Sequence, residues 1–213
     1  MPNARYIVVE GPIGVGKTTL ARRLAQELGA RPVLEEVDEN PFLRKFYDKP
    51  EKYAFQAQMF FLLSRYRQQT QLAQQDLFSQ GTVADYLFSK DKIFAESTLE
   101  GDELGLYRQL FSLLDARLPK PDLVVYLQAR TDVLIERLRR RDREFERRIP
   151  ATYLQKIAEA YRDYFFYYDE TPLLVVDSSD VDFVSRAEDF EDLIREINQM
   201  GLGVQHYIPL GSR

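Results

Sequence analysis

The sequence contains no cysteine, and its single histidine is His206, close to the C-terminus. Without cysteine the chain can form no disulfide, no thiolate zinc site and no cysteine nucleophile. A Ser-His-Asp hydrolase would have to use His206, and the sequence offers no G-x-S-x-G segment to accompany it. These absences exclude several common kinds of catalytic site, and the lack of cysteine fits a reducing compartment such as the cytoplasm.

Long apolar runs are also missing. No stretch approaches the roughly 18 apolar residues of a membrane-spanning helix, and the N-terminal segment lacks the pattern of a signal peptide. The net charge of -5 is opposite to the basic balance of most proteins that bind polyanions. We therefore expect a cytoplasmic protein with neither a membrane nor a nucleic acid as partner, folded as one domain over residues 1–213.

Short apolar or β-branched runs alternate with segments of helical periodicity. The first helix begins at Lys17, since leucines recur every four residues as far as Leu28 and Gly29 suits a C-terminal cap. Such alternation predicts a parallel sheet of about five strands covered on both faces, a three-layer α/β/α fold whose ligands bind beyond the carboxyl ends of the strands. The predicted strands are 6–10, 32–37, 81–88, 121–129 and 172–177, and further helices are predicted over 53–78, 102–117, 150–168 and 186–199, with another from about 131.

The segment "GPIGVGKT" (11–18) matches the P-loop pattern G-x-x-x-x-G-K-S/T between a predicted strand and a predicted helix. Its glycines let the backbone wrap an anion, the helix N-terminus favours negative charge, and Lys17 can reach the outer phosphates. The Thr18 hydroxyl is suited to bind Mg²⁺. We therefore predict ATP and Mg²⁺ as cofactors. The predicted ATP-binding residues are Gly11, Pro12, Ile13, Gly14, Val15, Gly16, Lys17, Thr18 and Thr19.

Two adjacent carboxylates, Glu35 and Glu36, end the second predicted strand. Neighbouring side chains of an extended segment point to opposite faces, so only one of the two can easily enter the cleft. A carboxylate in the cleft could accept the proton of a hydroxyl that attacks the γ-phosphate. The alternative is a solvated pair at the end of a strand.

Residues 138–148 contain six arginines and three carboxylates. Arg137 and Arg141 lie four residues apart, on one face of the preceding helix, and Arg143 follows where we expect the helix to give way to a loop. Guanidinium groups match phosphate oxygens and offset the charge on a transferring phosphoryl group. The segment could therefore close on a phosphate, coat a solvated helix or grip nucleic acid, and the negative net charge of the chain disfavours the last of these.

Four segments, in this order, resemble the deoxynucleoside kinases of the deoxycytidine, deoxyguanosine and deoxyadenosine kinase type. They are "GPIGVGKT", "EEVDENPF", "YDKPEKYAFQAQMFFLLSRYR" and "RLRRRDREFERRIPATYL", and the resemblance spans about residues 5–199. It implies a P-loop NTPase-like fold with an arginine-rich lid over about 137–150 that closes over the ATP phosphates. The implied activity is transfer of the γ-phosphate of ATP to the 5′-hydroxyl of a deoxynucleoside, in nucleotide salvage.

The resemblance also implies roles for individual residues. Glu35 would activate the 5′-hydroxyl, Gln58 would read the base edge, and Arg65 would lie at the base pocket. Lys17 and the arginines of the lid would stabilise the phosphoryl group. The implied catalytic residues are Glu35, Lys17, Arg137, Arg141 and Arg143; the implied substrate-binding residues are Glu35, Tyr47 and Glu146 (both at the sugar 3′-hydroxyl), Phe55, Gln58, Arg65, Asp85 and Phe94; and the implied metal ligands are Thr18 and Asp85.

One segment departs from the family pattern. After the third strand the family has an acidic residue followed by arginine and serine, whereas this chain has Asp85 followed by Tyr86 and leucine. The missing positive charge leaves the phosphoryl group less well compensated unless Lys90 or Lys92 reaches in. Asp91 could pair with Arg65 at the base.

Other interpretations stay open on the sequence alone. A thymidylate-kinase-like enzyme would need a cation in its acceptor pocket, and a P-loop NTPase switch would need neither a base-reading glutamine nor a sugar-binding carboxylate. The glutamine amide can pair with adenine, cytosine or guanine, so the base is undetermined, with a mild preference for a purine. The resemblance implies a homodimer, with 53–67 and 105–117 as possible contact segments.

Overall fold

The structure, a computed structural model, describes residues 6–75, 81–141, 146, 149–183 and 186–209. The strands are β1 (Tyr6–Glu10), β2 (Arg31–Val33), β3 (Thr82–Ala84), β4 (Leu123–Gln128), β5 (Leu173–Asp177) and β6 (Val204–Tyr207). The helices are α1 (Lys17–Glu27), α2 (Leu43–Asp48), α3 (Pro50–Gln75), α4 (Lys90–Thr98), α5 (Gly101–Asp115), α6 (Thr131–Arg141), α7 (Ala151–Phe166) and α8 (Ala187–Gln199), and a short 3-10 turn covers Val37–Glu39.

The six strands form one parallel sheet in the order β2-β3-β1-β4-β5-β6. The central strand is β1, in which Val8 pairs with Ala84 of β3 on one side and with Val124 of β4 on the other. Later strands are added on opposite sides of β1, so the strand order reverses there. A crevice opens at such a reversal beyond the carboxyl ends of the strands, and the segment 11–16 begins at this point.

Helices cover both faces of the sheet. Ile7 and Val9 pack in one cluster with leucines of α1 and α8, whereas Val8 packs on the opposite face with Ile157 and Tyr161 of α7. This alternation follows from the two-residue period of a strand. The predicted three-layer α/β/α arrangement is therefore confirmed, and a further cluster holds α2, α3, α4 and α5 together beside it.

The sheet differs from the prediction in the number and length of its strands. The sixth strand, β6, comes from the C-terminal segment, where only Val204 and Tyr207 carry side chains typical of strands and most residues are exposed. Strands β2 and β3 are shorter than predicted, because the chain leaves the sheet at Leu34 and at Asp85 to form the edge of the crevice. The short helices α2 and α4 were not predicted.

Gly11 shows why the chain requires glycine where β1 ends. Its φ is +151°, and a Cβ atom added there would lie 2.3 Å from the carbonyl oxygen of Leu127. No side chain fits at that distance, so the first turn of the segment passes directly against the backbone of β4. Gly11 thereby holds the loop that follows close to the sheet.

Within the parts of the chain that the structure describes, no helix combines the length and the apolar character needed to cross a bilayer.

Candidate active site

The loop between β1 and α1 has the shape of a phosphate-binding loop. Gly14 and Gly16 adopt positive φ angles of 85° and 104°, and α1 starts directly after them. The Lys17 ammonium turns back over the loop and donates to the carbonyl oxygens of Gly11, at 2.7 Å, and Pro12, at 3.0 Å. Burial lowers the pKa of Lys17 to about 8, and the neighbouring ammonium of Lys90 acts in the same direction. A bound phosphate would add a negative charge next to this cation, on which the carboxylates of Glu10, Glu35 and Asp85 already act.

Glu10 is a buried carboxylate that sequence reasoning missed. It ends β1 and accepts hydrogen bonds from the backbone N–H groups of Gly11, at 2.8 Å, and Leu87, at 2.7 Å, and from the Tyr161 hydroxyl, at 3.1 Å. Burial raises its pKa. The available signal was a charged residue at the end of an otherwise apolar strand. Glu10 ties the phosphate loop to the segment after β3.

Asp85, which follows β3, connects the start of α1 to the segment after β2. One carboxylate oxygen accepts from the Thr18 hydroxyl at 2.5 Å, and the other accepts from the backbone N–H of Glu35 at 2.7 Å. A hydroxyl and a carboxylate beside a phosphate loop are the hard oxygen ligands that suit Mg²⁺, which takes its remaining ligands from phosphates and water. Among the described residues no cluster of three or more acidic, histidine or cysteine side chains offers a metal site. Thr18 and Asp85 therefore suit an ion that takes most of its ligands from phosphate and water.

Glu35 lies in the crevice between two cations, while Glu36 is exposed. One Glu35 oxygen accepts from Arg65, whose Nε is 3.0 Å away, and the other accepts from the Lys90 ammonium at 2.6 Å. Burial alone would raise the pKa of Glu35, but Arg65 and Lys90 outweigh it and hold the pKa well below its usual range. Glu35 is therefore ionised and fixed in position.

Lys90, and not Lys92, brings a cation to the place that the sequence left uncompensated. The Lys90 side chain is 6% exposed, whereas Lys92 is exposed on the outer side of α4. Tyr86 is fully buried in the core beneath the sheet. The side chain at position 86 therefore contributes to packing, and the positive charge enters the crevice from the first turn of α4.

The predicted pairing of Asp91 with Arg65 is present. Asp91 Oδ1 lies 2.7 Å from Arg65 Nη1, and both side chains are almost fully buried. Burial raises the pKa of Asp91 to about 6, although Arg65 opposes the shift. Arg65 is thus held by two carboxylates, Asp91 and Glu35, one on either side.

A cavity of about 310 Å³ opens beside these charges. Its walls come from α1, α2, α3, α4, α6 and α7 and from Glu146, and they bring together residues that are far apart in the sequence. Most of the residues predicted to bind the acceptor line it: Glu35, Tyr47, Gln58, Arg65, Asp85, Phe94 and Glu146.

Phe55, predicted as a wall of the base pocket, does not line this cavity. It packs instead at the edge of the cluster formed by α2, α3, α4 and α5. Phe61 lines the cavity in its place, and its ring lies 4.8 Å from the guanidinium carbon of Arg65. Helical spacing alone does not separate the two, since Phe55 and Phe61 lie three residues before and three residues after Gln58 on the same helix.

Tyr47 and Glu146 close the far end of the cavity. Tyr47 packs edge-to-face on Tyr153, with ring centroids 6.4 Å apart, and burial raises its pKa well above the ordinary value. Glu146 is buried, and one of its oxygens lies 3.3 Å from Arg141 Nη1. A phenol and a carboxylate at one end of the cavity can bind a hydroxyl group.

A second, larger cavity of about 920 Å³ lies on the other side of the phosphate loop. Arg137 lines it and donates to the carbonyl oxygens of Val15, at 3.2 Å, and Ser178, at 2.6 Å. Arg141 lines both cavities, so the structure brings these two predicted lid arginines to the phosphate loop. Arg143 lies outside the described residues. The residues common to both cavities are Gly14, Lys17, Thr18 and Arg141.

The fold and the site together define a class of protein. A phosphate loop at the reversal point of a parallel sheet, with two cavities that share its residues, is an arrangement suited to a P-loop phosphotransferase. The loop alone is common to many families, so the remainder of the chain is needed to identify the family.

The chain belongs to the deoxynucleoside kinase family, whose sequence profile matches residues 7–201. It is similar to the deoxyguanosine kinase of Bacillus subtilis strain 168, with 38% identity over 205 residues that cover 94% of this chain and 99% of that protein. It is also similar to the deoxyadenosine/deoxycytidine kinase of the same strain, with 30% identity, 92% of this chain and 93% of that protein. The chain is therefore an enzyme, a kinase that phosphorylates deoxynucleosides.

Solved structures confirm the fold. The deoxyadenosine kinase of M. mycoides with bound dCTP superposes with a TM-score of 0.78 at 24% identity, covering 91% of this chain and 99% of that one. The sheet with its flanking helices is therefore shared over nearly the whole chain.

Proposed function

We propose that the protein transfers the γ-phosphoryl group of ATP to the 5′-hydroxyl of a deoxynucleoside, with deoxyguanosine as the preferred acceptor. One observation carries the proposal: the two cavities meet at Lys17, Thr18 and Arg141, and Glu35 lines the smaller one beside this junction. A nucleotide in the larger cavity would place its last phosphate at the junction. A nucleoside in the smaller one would place its hydroxyl beside Glu35.

The chemistry follows from these positions. The 5′-oxygen attacks the γ-phosphorus, its proton passes to Glu35, and the bond from the γ-phosphorus to the bridging oxygen of ADP breaks. Lys17 and the lid arginines Arg137 and Arg141 offset the negative charge that spreads over the transferring group. Arg143 is proposed in the same role from the sequence alone. Tyr47 and Glu146 hold the 3′-hydroxyl, and Gln58 and Arg65 face the base.

Mg²⁺ would be held by Thr18 and Asp85, whose oxygens already lie in contact. When bound, it would neutralise charge on the outer phosphates of ATP. The Asp85 side chain is held in position because its other oxygen accepts a hydrogen bond from the backbone N–H of Glu35. This bond keeps the proton acceptor next to the proposed metal site.

Lys90 has a separate part in this proposal. Both oxygens of Glu35 are occupied, one by Arg65 and the other by Lys90. Arg65 is anchored on its other side by Asp91, whereas Lys90 is a point charge on a flexible stem. When the substrate hydroxyl binds, Lys90 is therefore the partner that releases the Glu35 oxygen, and its ammonium can then move with the transferring phosphoryl group.

The acceptor base is tested by comparing kcat/KM for deoxyguanosine, deoxyadenosine, deoxycytidine and thymidine at saturating ATP. The preference for deoxyguanosine is supported by relatives that carry that name, among them those of Bacillus subtilis and Lactobacillus johnsonii. We expect deoxyguanosine to lead by about tenfold or more, since mispairing a buried polar edge costs about that factor. A higher kcat/KM for another base would overturn this choice of acceptor.

A homodimer is proposed from two helices that leave apolar side chains in water. Leu63 of α3 is 48% exposed, and Leu106 and Leu113 of α5 are 48% and 64% exposed. A second copy of the chain would cover them. Sedimentation analysis should give a dimer for the unmodified chain and a shift toward monomer for Leu113→Arg, and a monomeric unmodified chain at micromolar concentration would contradict the proposal.

The cytoplasmic location expected from the sequence stays a prediction.

A further inference from the structure

Gln58 has an open hydrogen-bonding position in the acceptor cavity. The residue is 3% exposed, and its Oε1 atom is buried without a hydrogen-bond partner among the described residues. Its Nε2 atom donates to the Thr98 hydroxyl oxygen at 3.2 Å. Because a buried polar atom without a partner is unfavourable, Oε1 marks a place where a ligand should present a hydrogen-bond donor.

Thr98 determines which way round this amide lies. The Thr98 hydroxyl donates its only hydrogen to the carbonyl oxygen of Phe94 at 2.7 Å, so only its lone pairs face Gln58. A flipped amide would bring Oε1 against an oxygen that has no hydrogen to give. The hydroxyl therefore favours the arrangement in which Nε2 faces Thr98.

A fixed amide reads only one order of donor and acceptor. After its bond to Thr98, Nε2 keeps one hydrogen for a ligand, and Oε1 accepts one. Guanine offers a donor at N1 and an acceptor at O6, and hypoxanthine offers the same pair. Adenine reverses the order, with an acceptor at N1 and a donor at N6, and cytosine does the same at N3 and N4. An amide free to flip would accept both orders.

We propose that Thr98 is a specificity-determining residue: it fixes the Gln58 amide so that the pocket accepts the N1–H and O6 order of 6-oxopurines and disfavours 6-amino bases. Thr98 does not itself line the cavity, so it acts as a positioning residue through Gln58. The proposal rests on the proposed function, because it assumes a deoxynucleoside base beside Gln58. It adds that the preference depends on a hydroxyl behind the pocket.

The test compares Thr98→Val, which keeps the shape of the side chain but removes the acceptor, with Thr98→Ser, which keeps the hydroxyl. Values of kcat/KM are measured for deoxyguanosine, deoxyinosine, deoxyadenosine and deoxycytidine. We expect the unmodified enzyme and Thr98→Ser to favour deoxyguanosine and deoxyinosine. Thr98→Val should reduce the ratio of deoxyguanosine to deoxyadenosine by about tenfold, mainly because deoxyadenosine improves once the amide can flip.

A merely structural role predicts a different result, in which all four substrates lose activity together and their ratios stay constant. The proposal would be overturned if the kcat/KM ratios of Thr98→Val lay within twofold of those of the unmodified enzyme. It would also be overturned if the unmodified enzyme did not discriminate between deoxyguanosine and deoxyadenosine. If Thr98→Val does not fold, the same comparison is made with Thr98→Ala. An unmodified enzyme that prefers deoxyadenosine refutes both the proposed acceptor and the proposed amide orientation, whereas one that prefers deoxyguanosine but shows unchanged ratios in Thr98→Val refutes the role of Thr98 alone.

Discussion

Replacing Glu35 by glutamine should lower kcat by about 10²-fold or more, the usual size of a general-base contribution. The amide keeps the shape of the side chain but cannot accept the 5′-hydroxyl proton. Binding of ATP and of the deoxynucleoside should persist, because the groups proposed to hold them lie on other elements. The measurement is steady-state turnover combined with calorimetric titration of each substrate.

Glu36→Gln provides the matched control. Glu36 is the adjacent residue with the same side chain, but it is exposed and does not line either cavity. Its replacement should leave kcat within about twofold, as expected for a surface substitution. A Glu35→Gln enzyme that turns over nearly as fast as the Glu36→Gln enzyme would show that the proton goes elsewhere.

Replacing Lys90 by methionine should lower kcat by about 10²- to 10³-fold, as the loss of a preorganised charge beside a transferring group does. Methionine fills a similar volume, and Glu35 keeps Arg65 as a partner, so the fold should survive. Lys90→Arg should recover part of the activity because it restores the charge. The measurement separates kcat from KM, and circular dichroism checks the fold.

Lys92→Met is the control for this substitution. It removes the same charge two residues further along α4, from an exposed position, so activity should be unchanged. If Lys90→Met raised KM for the nucleoside while kcat stayed constant, Lys90 would serve binding alone. The proposal that the Lys90 ammonium moves from Glu35 to the transferring phosphoryl group would then be wrong.

Much of the site could be predicted from the sequence because it depends on local spacing. The glycines and Lys17 lie in one short segment, and an extended pair such as Glu35 and Glu36 can place only one side chain in the crevice. The four-residue spacing of Arg137 and Arg141 places both on one helix face. In each case the distances that matter span few residues, so backbone geometry decides the outcome.

Other features depend on which elements meet in three dimensions. Phe55 and Phe61 are equally plausible aromatic walls in the sequence, and only the rotation of α3 about its axis separates them. Lys90 and Lys92 are separated in the same way by α4. Glu10 stands out in the sequence as a charge at the end of an apolar strand, but its partners are known only once the segment after β3 and helix α7 are placed around it. Strand β6 is stabilised by pairing with β5 more than by its own residues.

The most direct test of the central claim is to measure ADP and deoxynucleoside 5′-monophosphate together, with and without deoxynucleoside. We expect ADP to form only when a deoxynucleoside is present, with one 5′-monophosphate for each ADP. Release of ADP at the same rate without a nucleoside, or phosphorylation of thymidylate but of no deoxynucleoside, would contradict a site in which Glu35 activates a sugar hydroxyl beside the phosphate loop.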